Sequence, residues 1–131
     1  MLLSENKPAT ADSAQSSKQP EKGNDGLADS RWCADDGDSG HYWQVDLGDS
    51  HQLTQIDIEW EKIGPYQFVI AGSADGNTWS LLLDESQSTL AQAMQQHVLA
   101  GTPEARLVRI TVTDMAPTMW ASFYELRIYG F

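Results

Sequence analysis

Tyr42-Trp43-Gln44-Val45-Asp46-Leu47 and Ile56-Asp57-Ile58-Glu59-Trp60 each alternate a large apolar side chain with a polar one. A period of two is the mark of a strand with one face buried, because successive side chains on extended backbone point to opposite sides. Gly48-Asp49-Ser50, between the two runs, reads as a turn. The same alternation recurs in Tyr66, Phe68, Ile70; in Trp79, Leu81, Leu83; in Val108, Ile110, Val112; and in Tyr124, Leu126, Ile128. Ala74-Asp75-Gly76-Asn77 joins two runs as a tight hairpin, and Gly64-Pro65, Gly101-Thr102-Pro103 and Ala116-Pro117 break others. Only Ser86 to His97 has helical spacing, through Leu90, Ala93, Met94 and His97; it reads as a helix or as a loop plus an edge strand. Six to eight short strands without alternating helices make an antiparallel β-sandwich, all-β, rather than a parallel sheet.

The chain has 131 residues, the length of one domain able to bury a core without disulfide or metal staples. A hydrophobic share of 40%, a charged share of 21% and five tryptophans are a globular composition. Residues 4 to 24, rich in Ser, Ala, Gln, Lys and Pro, read as a linker or lightly packed edge segment, with residues 1–5 a linker remnant ahead of a single module spanning 1–131. Nineteen acidic against eight basic side chains give a net charge of −11. That field argues against nucleic acid, an anionic membrane or a polyuronate as partner, leaving room only for a small basic pocket around Arg31 or Lys62. Neither a signal peptide nor an apolar run long enough for membrane insertion is visible. Cys33, the one cysteine, has no internal disulfide partner.

Several stretches, in order and spacing, carry a family resemblance. They are Asp25-Gly26-Leu27-Ala28-Asp29-Ser30-Arg31-Trp32-Cys33-Ala34, Gly40-His41-Tyr42-Trp43, Ser73-Ala74-Asp75-Gly76-Asn77-Thr78-Trp79, Ala105-Arg106-Leu107-Val108-Arg109-Ile110 and Trp120-Ala121-Ser122-Phe123-Tyr124-Glu125-Leu126. Together they resemble the discoidin domain, the coagulation factor V and VIII C-type fold, from about Asn6 to Phe131. The Trp-Cys-Ala and Trp-Ala-Ser-Phe-Tyr-Glu forms look most like family thirty-two carbohydrate-binding modules. The resemblance implies a jelly roll of about eight strands, galactose-binding-domain-like, with one structural calcium and a shallow sugar site in the loops at one end. Carried over, the calcium ligands are side chains of Asp25, Ser30 and Glu125, with carbonyls of Lys22, Leu27, Ser30 and Tyr124. In some relatives a second cysteine precedes the last-loop tryptophan; here Met119 stands there, which leaves Cys33 a free thiol near it.

Bland readings stand beside these. Asp25 and Ser30 could simply stabilise a turn, and Asp35-Asp36-Gly37-Asp38 reads as a solvated acidic loop; an EF-hand is excluded because the twelfth residue from Asp36 is Leu47. Trp43, Trp60 and Trp79 fall in phase with core positions, and Trp32 reads as packed. Trp120, in a loop, either stacks on a sugar ring or caps the sandwich. Tyr66, Glu61, Lys62 and His41 flank loops at the same end and complete the candidate sugar site. No arginine lies within residues 61 to 66, where the resemblance would put one for ordinary galactose recognition.

Neither a nucleophile elbow nor zinc or nucleotide spacing is present, so the reading is non-catalytic. The expectation is a monomeric module, secreted or at the cell surface within a larger protein. It binds an oligosaccharide or polysaccharide at a neutral, terminal sugar and is covalently linked to a glycoside hydrolase. The runners-up are a module recognising a protein or lipid surface and a small stand-alone hydrolase.

Overall fold

The computed structural model describes residues 1–131. Its strands are β1 (Ala9–Ala11), β2 (Trp32–Cys33), β3 (Tyr42–Trp60), β4 (Tyr66–Ser73), β5 (Ser80–Glu85), β6 (Met94–Val98), β7 (Glu104–Met115) and β8 (Ser122–Gly130), with a 3-10 turn η1 at Pro20–Gly23. All pairings are antiparallel. The first half of β3 lies between β1 and β7, and the layer continues through β4 to β5. The second half lies between β6 and β8, with β2 beyond β8. A β-sandwich results, both layers sharing one strand.

That sharing corrects the expected turn at Gly48-Asp49-Ser50. The backbone stays extended there, and the register against β7 shifts between Asp46 and His51 while Gly48 takes φ +92°. A bulge of this kind lets a strand bend from one layer into the next without leaving the hydrogen-bond ladder. The alternation is kept on both sides: Trp43, Val45 and Leu47, then Ile56, Ile58 and Trp60, all face the core. Phe68 and Ile70 of β4, Val108, Ile110 and Val112 of β7 and Leu126 and Ile128 of β8 close it. At one end, Trp32, Trp43 and Trp60 surround Phe123 with ring centroids 5.3, 5.3 and 6.0 Å away.

Trp79 does not join them. The β4–β5 register shifts between Ile70 and Ala71, which turns Leu82 toward the core and leaves Leu81 61% exposed. Trp79 instead lies half-buried on the outer face, where the Arg109 guanidinium sits 4.6 Å from its ring and 4.3 Å from that of Tyr42. The Ser86–His97 stretch is a loop followed by the edge strand β6.

Residues 1–24 are not a loose leader. Leu3 and Ser4 are buried, Leu2 bridges Tyr129, and Leu3 N–H donates to Ile128 O at 2.8 Å. Asn24 fastens the segment from the other side, its Nδ2 donating to the carbonyls of Ser4 and Lys7, each at 2.9 Å. Polar composition misleads here because the segment is fastened by one buried leucine, small alanines against the core and hydrogen-bonded polar groups rather than by large apolar side chains.

Candidate functional site

Four chain segments meet at one end of the sandwich: residues 12–19, the β2–β3 loop, the β3–β4 loop and the β7–β8 loop. Backbone hydrogen bonds stitch them together, with Gln15 N–H donating to Cys33 O at 2.9 Å, Ala34 N–H to Ala121 O at 2.9 Å and Glu61 N–H to Ser122 O at 3.1 Å. Between them is an open cavity of about 180 Å³ lined by Gln15, Arg31, Cys33, Glu61, Lys62, Thr118 and Trp120.

Trp120 is 36% exposed and one edge of its indole rests on Gly37, where a Cβ would lie 3.1 Å from Nε1. The ring is therefore a wall of the cavity and not a buried cap. Glu61 and Lys62 also line it, as the sequence led one to expect. Arg31 is the residue that sequence reasoning undervalued, having marked it only as the centre of a possible basic pocket. Trp32 pairs with Phe123 on β8 and is buried, so Arg31 before it must emerge beside the β7–β8 loop. There its Nε donates to Ser122 Oγ at 3.2 Å and its Nη2 lies 3.6 Å from Glu61 Oε2. Cys33 is a buried free thiol, pushed above its ordinary value by desolvation, and the Thr118 and Trp120 that share its cavity flank Met119.

Two expected members are elsewhere. Tyr66 is fully buried, stacked on Trp60 at a centroid distance of 4.1 Å, and its hydroxyl accepts the Lys62 N–H at 3.2 Å. Burial raises its phenol above the ordinary range. It is a core residue that fixes the β3–β4 loop, and no face of it is left for a ligand. His41 does not line the cavity; its Nδ1 lies 2.8 Å from Asp12 Oδ2 and its Nε2 2.6 Å from Asp36 Oδ1.

The Asp25 turn forms a second constellation. Ser30 Oγ donates to Asp25 Oδ2 at 2.6 Å and Leu27 N–H to Asp25 Oδ1 at 3.0 Å, while Gly26 N–H donates to Glu125 Oε1 at 2.8 Å. Gly26 takes φ +78°, and the space its missing Cβ would fill is occupied by the Glu5 carboxylate, 2.5 Å from that position. Asp25, Ser30 and Glu125 are thus brought together; Lys22 lies in the last turn of η1 beside them, and Leu27 and Tyr124 are chain neighbours in the same turn and strand.

Glu125 is 1% exposed, and burial together with the neighbouring Asp25 pushes its carboxyl up to about 7. Desolvation works against the Asp25 charge, yet the bonds from Ser30 and Leu27 hold that carboxyl below its ordinary value. Asn24, the residue before, has a buried Oδ1 without a partner. Adjoining carboxylates and a hydroxyl, with no basic side chain bonded to the buried one, are a donor set suited to a hard divalent cation.

A family model for the F5/8 type C domain matches residues 8–126. The chain belongs to that family. The F5/8 type C domain is a binding domain, and the sandwich described above is its fold. Among solved structures, the domain is similar to chitosan-binding module 1 from the chitosanase/glucanase of Paenibacillus sp. IK-5, with a TM-score of 0.89, 23% identity and 99% of each chain covered. It is also similar to module 2 of that enzyme, solved in complex with chitotriose, with a TM-score of 0.88, 24% identity, and 98% of this chain and 99% of that one covered. A third is CpGH89CBM32-4 of Clostridium perfringens, in complex with GlcNAc-alpha-1,4-galactose, with a TM-score of 0.82, 22% identity, and 97% and 92% covered. At these identities the likeness speaks for the fold. Among curated protein sequences none matches this F5/8 type C domain.

Proposed function

We propose that this chain is a non-catalytic carbohydrate-binding module that holds a glycoside hydrolase to its glycan by gripping a neutral, terminal sugar. The observation that carries this reading is the Trp120 cavity, an exposed indole face beside Arg31, Glu61 and Lys62. Sugars offer apolar C–H faces for an aromatic ring and fixed hydroxyls for polar groups, and this cavity supplies both kinds of partner. Arg31 is anchored through Nε, so its terminal nitrogens and the Glu61 oxygens are aimed rather than free to wander. A volume of about 180 Å³ fits one sugar ring rather than a chain. Solved relatives by name bind chitotriose or GlcNAc-alpha-1,4-galactose and derive from glycan-cleaving enzymes, which supports the same reading. Such a module acts as a monomer, outside the cell or on its surface, within the larger enzyme it tethers.

The Asp25 turn holds one calcium in this reading. Side-chain oxygens of Asp25, Ser30 and Glu125 would bind it, with carbonyls of Lys22, Leu27, Ser30 and Tyr124 completing the shell. When bound, the ion supplies charge compensation for two adjoining carboxylates. Its role is structural, since those groups line the turn and none of them lines the Trp120 cavity.

A glycan array probed with the whole chain, with calcium and with chelator, tests the proposal. The expected result is binding to neutral glycans with dissociation constants of roughly 1 μM to 1 mM, little changed by salt and lost in Trp120→Ala. Binding that collapses between low and physiological salt would favour a charged protein or lipid surface instead, and full affinity in Trp120→Ala would remove the cavity as the site.

A further inference from the structure

The β2–β3 loop is built around His41. Its imidazole is only 11% exposed and has a carboxylate on each nitrogen, Asp12 at 2.8 Å and Asp36 at 2.6 Å. Ser13 Oγ, 3.2 Å from Nδ1, also accepts the Asp35 N–H at 3.2 Å. The two aspartates are themselves fixed, Asp12 Oδ1 accepting the Tyr42 N–H and Asp36 Oδ1 the Asp38 N–H, both at 3.0 Å. One residue beyond Asp36, the Gly37 backbone is pressed to the Trp120 indole, a Cβ there falling 3.1 Å from Nε1 and 3.2 Å from Cδ1. A continuous chain of contacts therefore runs from His41 through Asp36 and Gly37 to Trp120.

Carboxylates only accept hydrogen bonds, and a neutral imidazole has a single N–H to give. Flanked by two carboxylates, the ring satisfies both only when both nitrogens carry protons. We propose that His41 is a positioning residue for Trp120: the charged ring ties Asp12 to Asp36 and holds the Asp35–Gly40 loop against the indole, and loss of the proton breaks one tie and loosens that backing. The groups facing the ring are Asp12 from the segment after β1 and Asp35 and Asp36 from the loop. Val112 of β7 donates its N–H to the His41 backbone carbonyl at 2.9 Å, and the charged groups that act on the ring are Asp12 and Asp36, both acidic. Desolvation works toward the neutral ring, but the bonds to Asp36 and Asp12 outweigh it and hold the imidazole above its ordinary value. The posture of Trp120 is thus set while the ring is charged and released as the pH rises through a midpoint above the ordinary imidazole value. Its bearing on sugar affinity rests on the function proposed above; its bearing on the indole does not.

The test needs no sugar. In the uniformly nitrogen-15-labelled whole chain, the Trp120 indole N–H signal, assigned by its loss in Trp120→Phe, is followed from about pH 5 to about pH 9 together with the His41 ring protons. The expected result is a Trp120 shift with the same midpoint as His41, lying above the ordinary imidazole value. The buried Trp43 indole, which donates to Pro20 O at 2.8 Å, should stay still and report an intact fold. In His41→Gln the Trp120 signal should lose its pH dependence and remain near its alkaline wild-type position. A Trp120 signal that is flat while His41 titrates, or that moves equally in His41→Gln, overturns the proposal. The wild-type titration alone decides the matter if the variant does not fold.

Discussion

Glu125→Gln offers the sharpest test of the Asp25 turn. In the calcium-free protein the folded state holds the Glu125 proton more tightly than the unfolded chain does, the carboxyl rising from 4.5 to about 7. Each tenfold change in proton affinity corresponds to about 1.4 kcal/mol, so ionising this buried group costs about 3 kcal/mol of stability. Because the folded value is raised, that stability is fully present below about pH 4.5, declines as the pH rises, and is gone once the pH has passed through about 7. For a domain of this length the loss is roughly 10 °C in melting temperature. Calcium bound as proposed should reverse it, since the ion would use the carboxylate, and at 100 times its dissociation constant it should add about 2.7 kcal/mol. Thermal melting followed by circular dichroism, in chelator and in excess calcium at several pH values from about 4.5 to about 8, reads both effects. The two wild-type curves should part as the pH rises through this window, and the Gln variant, which cannot ionise, should show neither the separation nor its share of the slope. Superimposable curves at about pH 8 would refute the ion, and a Gln variant with the wild-type slope would refute the buried charge.

Other outcomes follow from the same geometry. Tyr66→Phe should leave sugar affinity within about twofold while costing about 0.5–1.5 kcal/mol in urea unfolding, because its hydroxyl only accepts the Lys62 N–H. Arg31→Ala should weaken glycan binding about tenfold by isothermal titration, as a charge-assisted donor is lost from the cavity wall. Gly130→Ala should destabilise by about 3 kcal/mol in urea unfolding, since a Cβ there would overlap the backbone carbonyl of Gln52 on the adjoining strand, which cannot swing aside.

Alternation along β3, β4, β7 and β8 was legible because those strands have one face on the core, and it located Trp43, Trp60, Phe68 and Ile110 correctly. Applied consistently it also puts Tyr66 inside, in phase with Phe68 and Ile70, and the error over Tyr66 came from weighing its loop position above its phase. Trp79 failed for the opposite reason: an extra residue, Leu82, in β5 shifts the register against β4 and breaks the phase, and nothing in the local sequence announces that bulge. Gly48 resembled a turn because a bulge and a turn both favour glycine at positive φ, and only the partner β7, pairing on both sides, distinguishes them. In the Asp25 turn the groups are close in sequence apart from Glu125, and it was the family resemblance, not their spacing, that singled them out. The Trp120 cavity was legible only in part, because Arg31 enters it from the position just before β2, whose pairing with β8 is long-range.

β3 runs unbroken for 19 residues through both layers. In most two-layer architectures the sheets could in principle slide or part along the core, each keeping its own ladder. Here separating them means bending or breaking the backbone that belongs to both, so neither sheet has a private unfolding event. Amides of Trp43 and Val45 in one layer and of Ile56 and Ile58 in the other should therefore exchange with deuterium through a single opening reaction of the whole domain, with equal free energies. A force applied at the loop end would load this common spine, so that the two layers yield to it as one body.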